Sequence, residues 1–299
     1  MLKVNNITKM YGDLKAVDNL SFEVGEGEIF GLLGVNGAGK TTTFRVIMGL
    51  LEADKGDVTL NGKKIDYTVT DKIGFLTEER SLLLKMNVLD QMLYYGVLKG
   101  MEESVVESEL DKWLERFNIK EYKYRKIKEL SKGNQQKIQF ITAIINHPKL
   151  LILDEPFAGL DPINVKMFMD VIKEFKERGS IIIFSSHHME HVELFCEKLV
   201  VLVKGRSVLE GKITDIKREY RQKNIVINGN VDINNLVKQN GVLEVQENQE
   251  DITVKLEDEK YVSGIFKYLS KGQNITKFVV EEPSLNEIFV SKVGESYDK

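Results

Sequence analysis

The sequence predicts an α/β protein built on a parallel sheet, followed by a small α+β domain. The first observation is a phosphate-binding pattern at residues 34–41, which lies between an apolar strand and a helix. The second is the apolar run 150–153, which ends in Asp154 and Glu155 as a central parallel strand would. The third is the β-α-β-β-α-β order of short elements after Gly211, which is typical of a ferredoxin-like domain.

Composition points to a globular protein of about two domains. The chain has 299 residues, of which 42% are hydrophobic and 29% charged. The formal net charge of −4 gives no reason to expect a nucleic-acid partner. The longest apolar runs are far shorter than the ~20 residues of a membrane-spanning helix. The start of the chain shows no signal-peptide pattern, and the single Cys196 excludes an intramolecular disulfide, so we expect a cytoplasmic protein.

The segment 34–41 reads Gly-Val-Asn-Gly-Ala-Gly-Lys-Thr and fits the pattern G-x-x-x-x-G-K-[ST] at every fixed position. Its glycines allow backbone N–H groups to converge on phosphate oxygens at a helix N-terminus. Lys40 is expected to reach the β- and γ-phosphates, and Thr41 to offer its hydroxyl to Mg²⁺. The alternative is a glycine-rich turn with an incidental lysine.

The acids that follow the run 150–153 fall where α/β sheets bind ligands, at the carboxyl end of a strand. Asp154 could hold Mg²⁺ through water, and Glu155 could polarise an attacking water. The alternative is a strand that ends in solvated acids.

Two aromatic side chains are further candidates. His187 follows the predicted strand 181–184 and could sense the γ-phosphate. Its spacing from His191, with Glu190 between them, also admits a metal site, although no cysteine or further histidine cluster completes one. Tyr11 lies on a connection between strands, where it could stack on a nucleobase or be a surface turn residue.

The remaining pattern divides the chain. Residues 1–33 are β-rich, Asn61-Gly62 predicts a type I′ hairpin, and residues 88–140 are helical, with Ser131 as the N-cap of one helix. A helix is predicted at 163–178. After Gly211 we predict a charged helical linker at 212–223, helices at 231–239, 261–269 and 284–290, and strands at 224–227, 242–245, 252–256 and 275–280.

Five segments occur in one order: the loop 34–41, Leu-Ser-x-Gly at 130–133, Leu-Ile-Leu-Asp-Glu-Pro at 151–156, Gly-Leu-Asp at 159–161, and a histidine after a buried strand. This set resembles the ATP-binding subunits of ABC transporters over about residues 1–210. The resemblance implies a P-loop NTPase with a RecA-like core, a β-subdomain and an inserted helical subdomain at about 78–146. A linker at 211–222 and a C-terminal accessory domain at 223–299 would follow. The end of the chain resembles the extension of bacterial exporter ATPases related to sodium-efflux and multidrug systems.

The resemblance also implies roles for residues that match the family's motifs. Glu155, His187 and Lys40 would be catalytic, and Thr41, Glu78 and Asp154 would hold Mg²⁺. ATP would be contacted by Tyr11, Gly34, Asn36, Gly37, Ala38, Gly39, Lys40, Thr41, Thr42, Ser131, Gly133, Asn134 and Asp161. The signature segment departs from the usual Leu-Ser-Gly-Gly-Gln at Lys132 and Asn134, and Glu78 stands where glutamine is usual.

In this family, two ATPase subunits enclose two ATP molecules, and closure acts on membrane partners. The expected function is therefore the ATP-hydrolysing motor of an ABC exporter, with ATP and Mg²⁺ as cofactors. A second ATPase subunit, with a homodimer favoured, and separate transmembrane permease subunits would be its partners, and these would hold it at the inner face of the cell membrane. The alternative is a cytosolic ABC ATPase that acts on a soluble partner. A nucleotide kinase or GTPase would leave segment 130–134 unexplained.

Overall fold

The computed structural model describes residues 1–79, 81–248, 251–270 and 274–297, and the chain divides into two compact units, Met1–Glu210 and Gly211–Lys299. Residues 249–250, 271–273 and 298–299 of the predicted C-terminal domain, and residue 80 of the predicted helical subdomain, lie outside the described residues. The first elements in chain order are β1 (Leu2–Tyr11), β2 (Leu14–Val24), β3 (Ile29–Gly34), α1 (Lys40–Ile47), β4 (Lys55–Leu60), β5 (Lys63–Lys64), β6 (Ile73–Leu76), α2 (Val88–Leu98), α3 (Glu103–Arg116), α4 (Lys132–Ile144), β7 (Leu150–Asp154), α5 (Pro162–Glu177), β8 (Ile181–Ser185), α6 (Met189–Phe195), β9 (Lys198–Val203) and β10 (Arg206–Lys212). They are followed by α7 (Ile213–Glu219), β11 (Lys223–Gly229), α8 (Ile233–Leu236), β12 (Val242–Glu247), β13 (Ile252–Leu256), α9 (Val262–Leu269), β14 (Ile275–Glu281) and α10 (Leu285–Tyr297).

A six-stranded sheet of order β10-β9-β3-β8-β7-β6 forms the centre of the first unit. The pairs β9·β3, β3·β8, β8·β7 and β7·β6 are parallel, so the carboxyl ends of these strands lie at one edge of the sheet. Every residue of β7 and β8 is buried, which explains why both read as continuous apolar runs. The segments that follow β3, β6, β7 and β8 therefore meet at that edge.

A second sheet, of order β2-β1-β4-β5, packs its apolar side chains into the same core. Asn61 and Gly62 have φ of 51° and 76°, as a type I′ hairpin between β4 and β5 requires, and this agrees with the prediction. Tyr11 is the last residue of β1 and pairs with Leu14 at the β1–β2 turn.

The helical segment between β6 and β7 contains α2, α3 and α4. Phe140 of α4 stacks on Phe168 of α5 with ring centroids 4.4 Å apart, and Phe117, at the end of α3, contacts both rings edge-on. All three rings are fully buried. Aromatic pairs of this kind add to the hydrophobic free energy of burial, so this cluster fixes α3 and α4 on α5.

The second unit has a sheet of order β12-β13-β11-β14 in which all neighbours are antiparallel. With two helices between strands, this is the ferredoxin-like arrangement that the element order predicted. Its core contains residues of α8, α9 and the strand side chains Ile225, Ile227, Val254 and Leu256.

The bounds differ most from the sequence prediction in three elements of the second unit. The segment predicted as a charged helical linker is helical only in α7, where Ile213 and Ile216 are buried. Helix α8 spans only Ile233–Leu236 of the predicted 231–239, and Val237, which is 51% exposed, is its C-cap. Helix α10 continues to Tyr297, seven residues past the predicted end.

Phe168→Ala should lower the free energy of unfolding by about 3–5 kcal/mol, because it leaves a cavity between α4 and α5. Ile163→Ala, on the same helix, is the matched control: Ile163 is 78% exposed, so its loss should change stability by about 0.5 kcal/mol or less. Urea denaturation followed by circular dichroism measures both. Equal losses in the two variants would show that the aromatic cluster does not hold the helices together.

Candidate active site at the carboxyl ends of the parallel strands

The loop between β3 and α1 is a closely fitted turn. Gly34 and Gly39 have φ of 153° and 106°, which side-chain-bearing residues rarely adopt. A Cβ on Gly39 would lie 2.3 Å from the carbonyl oxygen of Ala16, and one on Gly34 would lie 2.5 Å from that of Leu202. The backbones of β2 and β9 therefore leave no space for a side chain at the two ends of the loop, and only glycine fits at positions 34 and 39.

The tip of the loop is open to solvent while its base is buried. Asn36 and Gly37 are exposed, and Ala38 is buried beneath them. The ammonium of Lys40 donates to the carbonyl oxygens of Gly34 at 2.6 Å and Val35 at 3.3 Å, so the side chain arches back over the loop. An exposed turn with a cation above it, at the N-terminus of an eight-residue helix, suits an anionic phosphate group.

Glu155 occupies a strained position directly after β7. Its φ is 51°, in the left-handed region that is unfavourable for a non-glycine residue. Its backbone N–H donates to the carbonyl oxygen of Ser185, which extends the β7·β8 pairing by one residue. Backbone strain of this kind is often found at functional sites.

Residues that follow β8 hold the carboxylate of Glu155. Oε1 accepts the backbone N–H of His187 at 2.6 Å and lies 2.9 Å from His187 Nδ1. Oε2 accepts the hydroxyl of Ser186 at 3.3 Å. The Glu155 side chain is only 10% exposed, whereas that of His187 is 68% exposed. The carboxylate is thus oriented from one side by a histidine that remains open to solvent.

Asp154 is buried at the end of β7, and burial raises its pKa to about 6. The Ser185 hydroxyl and the Lys40 ammonium lower that pKa, while the carboxylates of Glu78 and Glu155 raise it. Asp154 thus lies under the influence of two further carboxylates and one lysine, and a divalent cation would offset the excess negative charge.

These residues fit Mg²⁺ as part of a ligand set. Among the described residues, no group of three or more His, Cys, Asp or Glu side chains could hold a metal ion alone. Mg²⁺ commonly takes one or two protein ligands and completes its shell with water and substrate phosphates. Asp154 and the exposed hydroxyl-bearing Thr41, at the first turn of α1, suit that arrangement.

The geometry does not support the metal site that the spacing of His187 and His191 suggested. The ring of His191 packs edge-on against Phe157 with centroids 5.0 Å apart. Burial lowers the pKa of His191, which keeps the imidazole neutral inside this aromatic contact.

The remaining candidate residues lie on other elements. Ser131 caps α4 by accepting the N–H of Asn134, and Gly133 lies in the first turn of that helix. Asp161 caps α5 by accepting the N–H of Asn164 at 3.0 Å, and this bond holds the pKa of Asp161 below its usual range. Tyr11 is 48% exposed at the β1–β2 turn.

Comparison with known proteins gives the family. Residues 17–158 match the ABC transporter family profile, and residues 211–293 match the profile of the ATP-binding protein DrrA1-3-like C-terminal domain. The chain is 48% identical over its whole length to the full length of an uncharacterized ABC transporter ATP-binding protein of Bacillus subtilis, YhaQ. The chain belongs to the ABC transporter ATP-binding proteins.

Two further relatives have names that refer to a biological function. The linearmycin resistance ATP-binding protein LnrL of Bacillus subtilis is 30% identical, over 99% of each chain. The Nod factor export ATP-binding protein I of Rhizobium etli is 35% identical over 71% of this chain and 68% of that protein.

Solved structures of ABC ATPase cassettes share the fold. An ATP-binding subunit of an ABC transporter superposes with a TM-score of 0.70 at 30% identity, covering 74% of this chain and 93% of the other. A dimeric bacterial ABC transporter cassette superposes with a TM-score of 0.66 at 25% identity, over 71% and 99% of the two chains. The chain is therefore an ATP-hydrolysing P-loop protein, and the sequence prediction of family, fold and enzyme class is confirmed.

Two glutamines that were not among the sequence candidates connect α4 to the segments that follow β6 and β7 in this ABC ATPase. Gln136 Nε2 donates to the carbonyl oxygen of Pro156 at 3.1 Å, just after the acid pair. Gln139 Nε2 donates to the carbonyl oxygens of Thr77 at 3.0 Å and Glu79 at 3.2 Å, on either side of Glu78. Helix α4, which Ser131 caps, is thus bonded to both acid-bearing segments.

The spacing of the two glutamines in the sequence could have indicated that they are buried and hydrogen-bonded. Gln136 and Gln139 are three residues apart on a helix, so they share a face, and both are 3% exposed. Two polar residues on the buried face of an amphipathic helix are unusual and require hydrogen-bond partners. Periodicity identified the helix but not those partners.

Gln139→Ala should lower kcat for ATP hydrolysis by ~10-fold, equivalent to about 1.4 kcal/mol, because the backbone around Glu78 loses its bonds to α4. The KM for ATP should stay near that of the wild type, since Gln139 lies outside the phosphate loop. The control is Gln135→Ala, which removes only a bond to the carbonyl oxygen of Ile127. Steady-state phosphate release measures kcat and KM, and an unchanged kcat in Gln139→Ala would contradict the positioning role.

Proposed function

We propose that this chain is the ATP-hydrolysing subunit of an ABC exporter, that it forms composite ATP sites with a second ATPase subunit, and that it acts on separate transmembrane permease subunits. The observation that carries the proposal is the oriented Glu155 carboxylate, held by His187 at the same sheet edge as the phosphate loop. A phosphate cradle with a positioned acid beside it is what ATP hydrolysis requires.

The phosphate loop binds the nucleotide in this proposal. Backbone N–H groups of residues 34–39 and the N-terminus of α1, including Thr42, face the phosphates, and Lys40 adds a positive charge. Mg²⁺ would be held by Thr41 and Asp154, where it would offset the negative charge that develops during phosphoryl transfer.

Glu155 is the general base in this proposal. Its carboxylate accepts a proton from the attacking water. The hydrogen bonds from the Ser186 hydroxyl and the His187 N–H hold that carboxylate in place, and the carboxylate in turn orients the water. His187 has an exposed ring and can in addition donate to a phosphate oxygen.

The other half of each site comes from a second subunit. The N-terminus of α4, which contains Ser131, Gly133 and Asn134, is partly exposed, and Asp161 caps the N-terminus of α5. The hydrogen bonds of Ser131 and Asp161 within the chain are local helix caps. Polar groups at both helix termini can therefore contact a nucleotide that is bound by a second copy. The dimeric ABC cassette that shares this fold supports such an assembly.

The two departures from the usual motifs are compatible with this assignment. Asn134 carries the same amide group as glutamine on a shorter side chain. Glu78 is an exposed carboxylate that raises the pKa of Asp154. It adds negative charge where Mg²⁺ would bind, so we assign it a contact with the cation.

A cleft beside Glu78 suits a helix from a permease. It has a volume of about 390 Å³ and is lined mainly by apolar side chains, among them Leu50, Phe75, Leu82 and Tyr95. Gln139, which is bonded to the backbone around Glu78, also lines it. A partner helix in this cleft would therefore be coupled to the ATP site through α4.

Export by membrane partners is supported by the names of two relatives. Within the described residues, every helix is too short or too polar to cross a bilayer. The relatives named for linearmycin resistance and Nod factor export point to an outward direction. We therefore assign the protein to the cytoplasmic face of the membrane.

Glu155→Gln should lower steady-state ATP hydrolysis by about 10²- to 10⁴-fold, because an amide cannot accept the proton of the attacking water. Binding of a fluorescent ATP analogue should be retained. Glu190→Gln, which changes an exposed acid on α6, is the matched control and should hydrolyse ATP at the wild-type rate. A wild-type rate of ATP hydrolysis in Glu155→Gln would contradict the assignment of Glu155 as the general base.

Leu50→Lys should abolish recovery of a membrane protein with the tagged chain while leaving the ATPase rate of the isolated protein unchanged. Leu50 is 68% exposed at the cleft, so a lysine can be accommodated without unfolding the chain. The control is Leu194→Lys on α6, which is 64% exposed outside the cleft lining. Affinity purification from detergent-solubilised membranes, followed by mass spectrometry, measures recovery. If the wild-type chain recovers only soluble proteins, the alternative of a cytosolic ABC ATPase replaces the transporter assignment.

A further inference from the structure

The sheet of the second unit leaves strand β14 as an apolar edge. In the order β12-β13-β11-β14, β14 is an end strand that pairs with β11, and among the described residues no other strand pairs with it. Val279 and Val280 are 39% and 42% exposed. Phe266 of α9 is 55% exposed and contacts Phe278 of β14 with ring centroids 5.2 Å apart. An end strand with exposed apolar side chains makes an edge that favours pairing with another strand.

The opposite edge of the same sheet is different. Strand β12 carries Glu244, Gln246 and Glu247, and all three are exposed. Charged side chains on an edge strand discourage association, since pairing would bring like charges together. On β12 the exposed Leu243 stands among these charged and polar side chains. Strand β14 instead carries two adjacent exposed valines, and its Phe278 contacts the exposed ring of Phe266, so β14 is the edge that favours a partner.

We propose that β14 pairs antiparallel with β14 of a second copy of this chain, about a two-fold axis at Val279. The contact would join the two C-terminal units into a continuous sheet. It goes beyond the proposed composite ATP site, because it needs neither nucleotide nor the residues that bind it.

The sequence of β14 selects this register. Residues directly opposite each other in an antiparallel pair point to the same face of the sheet, so a two-fold pairing places one residue opposite itself. With Val279 at the axis, Lys277 lies opposite Glu281 of the second copy, and this pair occurs twice. Phe278 lies opposite Val280 of the second copy on the other face. Charges and apolar side chains are both matched.

The neighbouring registers lack this match. An axis at Phe278 places Glu281 opposite Ile275 of the second copy, and an axis at Val280 places it opposite Val279. Either arrangement leaves a carboxylate against an apolar side chain. The ammonium of Lys277 bonds to Asp251 at 2.7 Å, on the face away from the core, so Glu281 of the second copy would join an existing ion pair.

Disulfide trapping in the full-length chain tests the pairing. Across an antiparallel pair, Cα atoms are about 4.5–5.5 Å apart, which a disulfide can bridge. Val279→Cys should therefore convert most of the chain into a covalent dimer under mild oxidation without nucleotide, and reducing agent should reverse it. The wild type is the background control, because its single Cys196 is buried.

The matched register control is Lys277→Cys. Two copies of residue 277 would be displaced by four residues, about 13 Å along the strands, so this variant alone should remain monomeric on the same gel. A mixture of Lys277→Cys and Glu281→Cys chains should form the mixed disulfide. Absence of a dimer in Val279→Cys, or equal yields in Val279→Cys and Lys277→Cys, would overturn the proposal.

A Lys40→Ala background separates this contact from the ATP site. Trapping of Val279→Cys should be undiminished there, while ATP binding is lost. Loss of trapping together with ATP binding would show that the dimer forms through the nucleotide and would overturn an independent β14 contact. Circular dichroism of each variant confirms that the chain is folded.

Discussion

The parallel pairing of β7 and β8 is the constraint on which the site depends. The pairing runs through Asp154 and Ser185, and the N–H of Glu155 extends it by one bond to the Ser185 carbonyl. The left-handed backbone at Glu155 then turns the chain, at a cost of about 1–3 kcal/mol. The bonds from Ser186 and His187 to the carboxylate offset part of that cost. Two segments more than thirty residues apart in sequence thereby form one hydrogen-bonded unit.

Helix α4 provides the second link. Its first turn presents the segment predicted to contact a nucleotide on another subunit, and one turn later Gln136 and Gln139 bond to the backbone beside Pro156 and Glu78. The aromatic contact between Phe140 and Phe168 holds the same helix on α5. A shift of α4 would therefore change both acid-bearing segments together. This is the physical basis on which events at a subunit interface and in the neighbouring cleft can reach the ATP site.

The two proposed contacts would let the chain meet a second copy in two different ways. The proposed ATP-dependent contact would use helix termini and polar side chains, so it would require the nucleotide to fill the space between them. The proposed β14 contact would use exposed valines and complementary charges, so it would need no ligand. A nucleotide-independent contact of this kind would keep two ATPase units close together between cycles and raise their effective concentration.

The sequence by itself determined the phosphate loop, the acid pair, the order of the motifs and the ferredoxin-like element order. These follow from local rules: glycine at positive φ, apolar runs at buried strands, and spacing along one segment. The tertiary structure alone decided that His187 orients Glu155, that Gln139 bonds beside Glu78, and that α8 stops at Leu236. It also decided which strand is an exposed edge. Each of these depends on which distant segments lie side by side, and that is set by packing of the whole core rather than by any local pattern.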